Sequence, residues 1–115
     1  MSESMYPPTT REMMQKRREL APEVQAAFDA FGQKVFAEGA LSAKVKQIIA
    51  VAVAHVTQCP YCIRGHTKAA MRHGATREEL MEAIWVAAEM RAGGAYAHAA
   101  IALETTARGA EGHDS

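Results

Sequence analysis

The chain has 115 residues and a mass of 12.4 kDa, which is the size of one domain and leaves no room for a second hydrophobic core. Its 13 basic and 13 acidic residues cancel to a formal net charge of zero, so we expect neither a nucleic acid nor a membrane surface as a partner. The longest apolar stretch, residues 48–56, is far shorter than the roughly 18 residues of a membrane-spanning helix. The opening residues, MSESMYPPTT, lack the pattern of a secretory signal peptide, which predicts a cytoplasmic protein.

Alanine occupies 24 positions, whereas Leu, Ile, Val and Phe together occupy only 19. Alanine has the highest helix propensity and allows helices to approach closely, so this composition favours a helical protein with thin, alanine-lined contacts. Such a chain buries little apolar surface by itself. We therefore expect it to assemble as a homo-oligomer.

The hydrophobic periodicity predicts six helices and no strands, which makes the fold class all-α. The first predicted helix is charged, is capped by Thr9 or Thr10 and ends near Leu20. The second runs from Pro22 to about Ala37, the third from Ser42 to near Gln58, and the fourth from Pro60 to about His73. The fifth begins after Thr76, and the sixth runs from about Ala95 to Ala107. The third helix is apolar on nearly every side, which places it at the centre of the fold. We expect a compact single-domain bundle.

Several helix boundaries are predicted from specific residues. The sequence T-R-E-E at residues 76–79 is a capping box, in which Thr76 and Glu79 satisfy each other's backbone N–H groups. The pair Gly93-Gly94 is predicted to break or kink the fifth helix. Residues 1–8 are predicted to form an N-terminal arm, residues 9–108 the helical domain and residues 109–115 a polar tail.

Both cysteines of the chain fall in one motif, Cys59-Pro60-Tyr61-Cys62, which is followed by His66. With Cys59 at the cap of the fourth helix, Cys62 and His66 are four residues apart and share one helical face. The positive end of the helix dipole favours thiolate over thiol, and a neighbouring imidazole can accept the thiol proton. One thiolate to attack and a second thiol to resolve the product are the parts of a two-cysteine redox site.

Three other interpretations of the motif compete with a redox site. A structural zinc site normally needs four ligands, so His55, His73 or His98 would have to join the three residues of the motif. A c-type haem requires histidine directly after the second cysteine, where this chain has Ile63. A purely structural disulfide is unusual in a cytosolic protein. The motif therefore favours redox chemistry without a metal or an organic cofactor.

The segment KVKQIIAVAVAHVTQCPYCIRGHTKAAMRHGATREELMEAIWVAA resembles the AhpD-like alkylhydroperoxidases of the carboxymuconolactone decarboxylase family. The resemblance covers roughly residues 41–98 and implies an all-helical fold, assembly as a homotrimer or homohexamer, and reduction of hydroperoxides. It also implies that Cys62 is the peroxidatic cysteine, that Cys59 is the proton donor and resolving thiol, and that His66 belongs to a proton relay. The implied reductant is an external dithiol, either a lipoyl group or a thioredoxin-like protein.

The sequence departs from the family pattern at one position of that relay. The family usually has glutamate twelve residues before the first cysteine, where this chain has Gln47. An amide can hydrogen-bond to a water or to His66 but cannot exchange a proton at neutral pH. We therefore expect Gln47 to orient the relay without titrating.

Other polar residues could support the site, although each has a simpler interpretation. His55 and His98 could join the relay, but they could also be ordinary helix residues hydrogen-bonded within the fold. Tyr61 could shape the mouth of a pocket or be plain packing. Glu82 and Glu89 could replace the missing carboxylate, or be solvated.

Three functions follow from these expectations. The first is a thiol peroxidase that forms a sulfenic acid and then an intramolecular disulfide. The second is a lactone enzyme of the carboxymuconolactone decarboxylase type, although a decarboxylase has no evident use for a dithiol. The third is a non-enzymatic helical module whose disulfide senses redox state.

Overall fold

A computed structural model of the protein describes residues 5–110, which form six α-helices and no strand. The helices are α1 (Arg11–Leu20), α2 (Pro22–Phe36), α3 (Ala43–Thr57), α4 (Pro60–Arg72), α5 (Arg77–Ala97) and α6 (Ala99–Ala110). The prediction of an all-α fold is confirmed. The sixth helix runs three residues further than predicted.

Four helices begin at a side chain that accepts a backbone hydrogen bond from the first turn. The capping residues are Thr10 for α1, Ser42 for α3, Cys59 for α4 and Thr76 for α5. The predicted capping box of α5 is present in both directions, with Glu79 Oε1 accepting from the N–H of Thr76 at 2.9 Å. These caps satisfy backbone donors that have no partner inside the helix.

The centre of the fold is α3, which packs against both α4 and α5 as the sequence predicted. Val51 of α3 is the largest fully buried side chain, and it clusters with Ala70, Ala75 and Leu80. The remaining buried apolar positions are almost all alanine. The hydrophobic core is therefore small, because alanine side chains bring helices together without burying much apolar area.

The chain is not compact, which corrects the sequence-based expectation of a compact bundle. Its radius of gyration is 20.2 Å and its principal dimensions are 61 × 36 × 35 Å, whereas a compact chain of this length has a radius of gyration of about 13 Å. Large apolar side chains remain exposed on several helices, including Phe31 at 64% and Trp85 at 66%. Most of the apolar stripe of α2, including Val24, Phe28 and Phe31, is exposed because this helix has few contacts with the rest of the chain.

The predicted break at Gly93-Gly94 is wrong. The helix α5 continues through both glycines to Ala97 and ends at His98. Glycine lowers helix stability by about 1 kcal/mol per residue but does not forbid helical geometry. At the actual end, the Nδ1 atom of His98 lies 2.7 Å from the carbonyl oxygen of Gly94 and shares that acceptor with its own backbone N–H.

The part of the N-terminal arm that the structure describes, residues 5–10, lies against α4. Tyr6 packs edge-on against Tyr61 with ring centroids 6.1 Å apart. The first four residues of the predicted arm and residues 111–115 of the predicted tail lie outside the described residues. Within the described part, no helix has the length and apolar character needed to cross a membrane.

Candidate active site

The two cysteines lie at the first turn of α4, in the positions that the sequence predicted. Cys59 is the N-cap, with φ −102° and ψ 104°, and its Sγ accepts a hydrogen bond from the backbone N–H of Cys62 at 3.2 Å. Pro60 occupies the first helical position, where a missing N–H costs nothing. Both cysteines are half-buried free thiols. The turn therefore holds the two sulfurs close together in the reduced state.

The two thiols differ in acidity because one donates a hydrogen bond to the other. The pKa of Cys59 is lowered, chiefly by the side chain of Cys62 and then by the backbone N–H of the same residue. The pKa of Cys62 is raised, first by its hydrogen bond to Cys59 and then by burial. Cys59 is therefore the sulfur that carries a negative charge more readily, and Cys62 holds its proton.

His66 follows one turn after Cys62 and is fixed by a residue of α3. Its Nδ1 atom lies 2.8 Å from Oε1 of Gln47. Gln47 is 7% exposed and is the one buried polar side chain among the described residues. Since an amide oxygen only accepts, Nδ1 carries the proton in this arrangement, and Nε2 is the unprotonated ring nitrogen.

An apolar pocket of about 420 Å³ opens beside these residues. Cys62 and His66 form its α4 wall, and the last turn of α2 and the outer face of α3 form the rest. The ring of Phe36 stacks on His66 with centroids 5.1 Å apart and an interplanar angle of 25°. The lining residues are Val35, Phe36, Lys46, Ile49, Ala50, Val53, Ala54, Thr57, Cys62 and His66.

The structure brings Cys59, Cys62, His66 and Gln47 together, and it places the other predicted site residues elsewhere. Among residues 5–110, the ring of His66 hydrogen-bonds to Gln47 and to neither sulfur.

The Nδ1 atom of His55 lies 2.8 Å from the carbonyl oxygen of Val51 in its own helix. His98 caps α5, and Tyr61 faces the N-terminal arm rather than the apolar pocket.

The carboxylates that could have replaced the family glutamate do not reach the relay. Glu82 and Glu89 are exposed on α5, and neither hydrogen-bonds to a site residue within the described part of the chain.

In residues 5–110, no group of three or more His, Cys, Asp or Glu side chains is arranged to hold a metal ion. His73, which the zinc interpretation would recruit, contacts the carbonyl oxygen of Ala69 through Nδ1 at 2.9 Å.

Of the residues that line the pocket, the sequence predicted only Cys62 and His66 as site residues, and it missed the two that contact the site most specifically, Phe36 and Lys46. Phe36 belongs to the apolar stripe of α2, but no pattern indicates that it meets His66, which lies thirty positions later. Lys46 donates from Nζ to the carbonyl oxygen of Ala37 at 2.6 Å and thereby fastens the end of α2 to α3. The available signal was the helical spacing that places Lys46 on one face of α3 with Ile49, Ala50 and Val53, which also line the pocket.

The fold and the site together define an all-α protein with a dithiol at a helix N-terminus. The family model of the carboxymuconolactone decarboxylase family matches residues 22–105, which is most of the chain. This chain belongs to the carboxymuconolactone decarboxylase family, and the resemblance drawn from the sequence is confirmed.

Two relatives and two solved structures show how far the similarity extends. A protein of Paracoccus denitrificans named uncharacterized protein 4 in cox locus is 68% identical over 80 residues, which is 70% of this chain and 72% of that protein. An uncharacterized protein of Cupriavidus necator is 39% identical over 82 residues, covering 71% of this chain and 73% of its own length.

The solved structures have the same fold. A crystal structure of an apo carboxymuconolactone decarboxylase family protein from Legionella pneumophila has a TM-score of 0.67 and 39% identity, covering 81% of this chain and 83% of that chain. A crystal structure from Methanobacterium thermoautotrophicum has a TM-score of 0.68 and 39% identity, covering 76% of this chain and 96% of that chain.

Proposed function

We propose that the protein is a dithiol peroxidase that reduces hydroperoxides through Cys59 and Cys62. The observation that carries this proposal is the pair of free thiols at the start of α4, where Cys59 Sγ accepts from the N–H of Cys62 and Cys62 lies on the wall of an apolar pocket. A hydroperoxide in that pocket meets Cys62 before it meets Cys59, because Cys59 does not line the pocket. This favours Cys62 as the sulfur that attacks oxygen.

The acidity difference between the two thiols supports a proton shuttle. Cys62 attacks the terminal oxygen of the hydroperoxide while its proton moves to the thiolate of Cys59, the cysteine whose pKa is lowered. The O–O bond breaks, Cys62 becomes a sulfenic acid, and the alkoxide leaving group takes the proton from Cys59 and departs as an alcohol. Cys59 is then a thiolate again.

The second half of the reaction forms the disulfide. The Cys59 thiolate attacks the sulfenic sulfur of Cys62, an S–S bond forms, and hydroxide leaves and becomes water with a proton from solvent. An external dithiol reduces the disulfide, so two thiols and one hydroperoxide are consumed in each turnover. No metal or organic cofactor takes part in these steps.

His66 and Gln47 act in this proposal by orientation. Gln47 fixes the proton on Nδ1 of His66, which leaves Nε2 able to accept a hydrogen bond from the hydroperoxide O–H. Phe36 stacks on the same ring and restricts its rotation. The apolar lining excludes water from the sulfur under attack, which favours organic hydroperoxides over hydrogen peroxide.

We also propose that the protein assembles as a homotrimer or a homohexamer. One chain leaves Phe31, Trp85, Met90 and many other large apolar side chains exposed, which is more apolar surface than a soluble monomer normally presents. A molar mass of one chain in light scattering would contradict this. We expect Trp85→Glu to lower the mass, and Arg77→Glu, a charge change at an exposed position nearby, to leave it unchanged.

The test of the proposed activity is hydroperoxide consumption with dihydrolipoamide as the reductant. We expect turnover by the natural protein and none by Cys62→Ser or Cys59→Ser. The two variants differ in a trapping experiment. Cys59→Ser should form the sulfenic acid at Cys62 more slowly, because it lacks the thiolate that accepts the proton, but no second thiol resolves the product and dimedone should label it. Cys62→Ser should not be labelled. His73→Gln is the matched control, since this histidine contacts only its own helix among the described residues.

The third function that the sequence suggests, a redox-sensing module, predicts a different result from the same assay. A redox-sensing module would oxidise once per chain and then stop, whatever reductant is supplied. Stoichiometric oxidation without turnover, with several dithiols and thioredoxin-like proteins, would therefore contradict the peroxidase proposal.

A further inference from the structure

The exposed face of α4 carries a row of positive charges next to the dithiol. Arg64, Lys68 and Arg72 follow one another at four-residue intervals and therefore lie on one side of the helix. No acidic residue occurs in α4. Arg17 of α1 reaches the same region, where it lines a cleft with Tyr61.

These four cations have no carboxylate partner among residues 5–110, and the guanidinium of Arg64 lies over the ring of Tyr61, 5.8 Å from its centroid. The ion pairs of the described residues involve other basic residues, namely Arg18, Lys44 and Arg108. None of the ion pairs of the described residues includes Arg17, Arg64, Lys68 or Arg72. Since the whole chain has a net charge of zero, this basic patch is a local feature and not a result of overall composition.

The basic patch also borders a cleft. The N-terminal arm and α4 enclose a cleft of about 210 Å³, with Pro8 and Thr9 on one side and Arg64 and Lys68 on the other. Gly65 lies between the two cations at the bottom of the cleft, and a Cβ atom added there would meet nothing within 4 Å. The cleft is therefore open along the helix and lined by basic side chains on one wall.

The cleft lies close to the cysteines but is separate from the apolar pocket. Tyr61 forms its end nearest to the dithiol and stands between Cys59 and Cys62 in the sequence. Cys62 is the next residue, about 100° further round the helix, and faces the apolar pocket. A hydroperoxide and a large reductant would thus reach the same sulfur pair from two directions.

We propose that this cleft binds an acidic segment of the protein that carries the reducing dithiol. The inference rests on the proposed peroxidase function, because it names the partner that restores the thiols. In that step a thiolate of the partner attacks one sulfur of the Cys59–Cys62 disulfide and the S–S bond breaks. The second thiol of the partner then displaces the mixed disulfide, so the partner leaves oxidised and two protons remain on the protein's thiols.

A protein segment fits this surface better than a nucleic acid does. The charged wall is formed by one short row of side chains, and the cleft is closed on its other side by the arm. A duplex would need a broad basic field to contact several phosphates, and the net charge of the chain provides none. An extended acidic peptide needs only the row itself.

The test uses two synthetic peptides that carry the same dihydrolipoyl-lysine, one with flanking aspartates and one with flanking serines. At low salt, we expect the aspartate peptide to give a kcat/KM about tenfold above that of the serine peptide, and we expect added salt to remove the difference. Free dihydrolipoamide gives the reference rate. Binding of the fluorescein-labelled aspartate peptide, followed by anisotropy, is measured on the same protein and does not depend on turnover.

Two variants locate the binding site. Arg64→Glu combined with Lys68→Glu should abolish the advantage of the aspartate peptide while the rate with free dihydrolipoamide stays unchanged. The matched control is Lys16→Glu combined with Arg77→Glu, which changes the charge equally at exposed positions without ion pairs in the described part of the chain. Gly65→Leu fills the cleft without changing charge, and Gly32→Leu, at another open helical glycine, is its control.

The outcomes separate this inference from the proposed function. Turnover with every reductant but equal rates and equal binding for the two peptides would overturn the docking site alone. No turnover with any reductant would contradict the peroxidase, and the anisotropy would still decide whether the cleft binds acidic peptides. The docking site for an acidic segment would also be overturned if an oligonucleotide bound more tightly than the aspartate peptide, or if a second copy of the chain occluded the cleft.

Discussion

The imidazole of His66 and the amide of Gln47, 19 residues apart in the chain, are joined by a hydrogen bond of 2.8 Å between Nδ1 and Oε1. This contact links α4 to the central helix α3, and it places an uncharged partner beside the ring. A carboxylate at the same position would instead favour the imidazolium. The hydrogen bond therefore fixes the orientation of the ring.

Gln47→Glu tests this directly. We expect His66 to keep its positive charge to higher pH in the variant, because the carboxylate stabilises the charged ring. The pH–rate profile of hydroperoxide reduction should shift with it, and the histidine resonances in a pH titration followed by NMR should show the same displacement. Coincident profiles for the natural protein and the variant would exclude position 47 from proton transfer. Gln33→Glu on α2 is a control for the added charge alone.

Cys62→Ala tests the hydrogen bond between the thiols. Because the side chain of Cys62 is the main cause of the lowered pKa of Cys59, its removal should raise the pKa of Cys59 toward the ordinary range. Alkylation of Cys59 by iodoacetamide at mildly acidic pH should then slow severalfold, measured by mass spectrometry of the labelled peptide. Cys62→Ser keeps a hydroxyl donor and should slow it less. Equal alkylation rates in all three proteins would show that Cys62 does not control the acidity of Cys59.

Glu79→Gln tests the charged part of the α5 cap. The pKa of Glu79 is lowered by its hydrogen bond with the N–H of Thr76 first and by Lys44 second. A carboxyl group with a lowered folded-state pKa stabilises the protein at neutral pH, and this contribution is lost as the pH falls through that lowered value. Glutamine retains the capping geometry.

The difference in Tm between the natural protein and Glu79→Gln should therefore be largest near neutral pH and disappear in acid. Glu78→Gln, at an exposed neighbour that makes no ion pair within residues 5–110, should show no such pH dependence. A constant difference in Tm at every pH would contradict the assignment of the effect to the carboxylate charge.

Val51→Ala tests how much the small core contributes. Val51 is fully buried between α4 and α5 residues, so the truncation should lower the free energy of unfolding by about 2 kcal/mol. Urea denaturation at fixed protein concentration measures the change. Val24→Ala, at a position that is 71% exposed, should cost less than about 0.5 kcal/mol if α2 stays exposed in solution. If Val24→Ala lowered the free energy of unfolding as much as Val51→Ala does, another chain would have to cover α2.

The helices and the sulfur pair could be predicted because their signals are local. Proline at the first helical position, Thr76 with Glu79, and Cys59 before Pro60 act within one turn, and the structure has each of these caps where expected. The error at Gly93-Gly94 is also local in origin. Each glycine destabilises the helix by a small amount, and the helical turns on either side outweigh that cost. The prediction therefore overestimated the effect of the two glycines.

The contacts that define the candidate site between helices could not be predicted in the same way. The pairing of Gln47 with His66 was expected through the family pattern, whereas the stacking of Phe36 on that ring has no sequence signal. Histidines at 55 and 98 have the chemistry of relay members, yet each contacts a carbonyl of its own helix. Which direction a side chain faces depends on how the helices pack, and periodicity does not report that.

The sequence by itself determined an all-helical chain, the positions of most helix ends and a dithiol at the start of α4, since hydrogen bonds within one or two turns decide all three. The tertiary structure decided which side chains surround that dithiol: the pocket beside Cys62, the neutral partner of His66 and the basic cleft under the arm. It also showed that one chain leaves much of its apolar surface uncovered. These features depend on residues far apart in the chain, whose approach is fixed by the packing of alanine-rich helices around Val51.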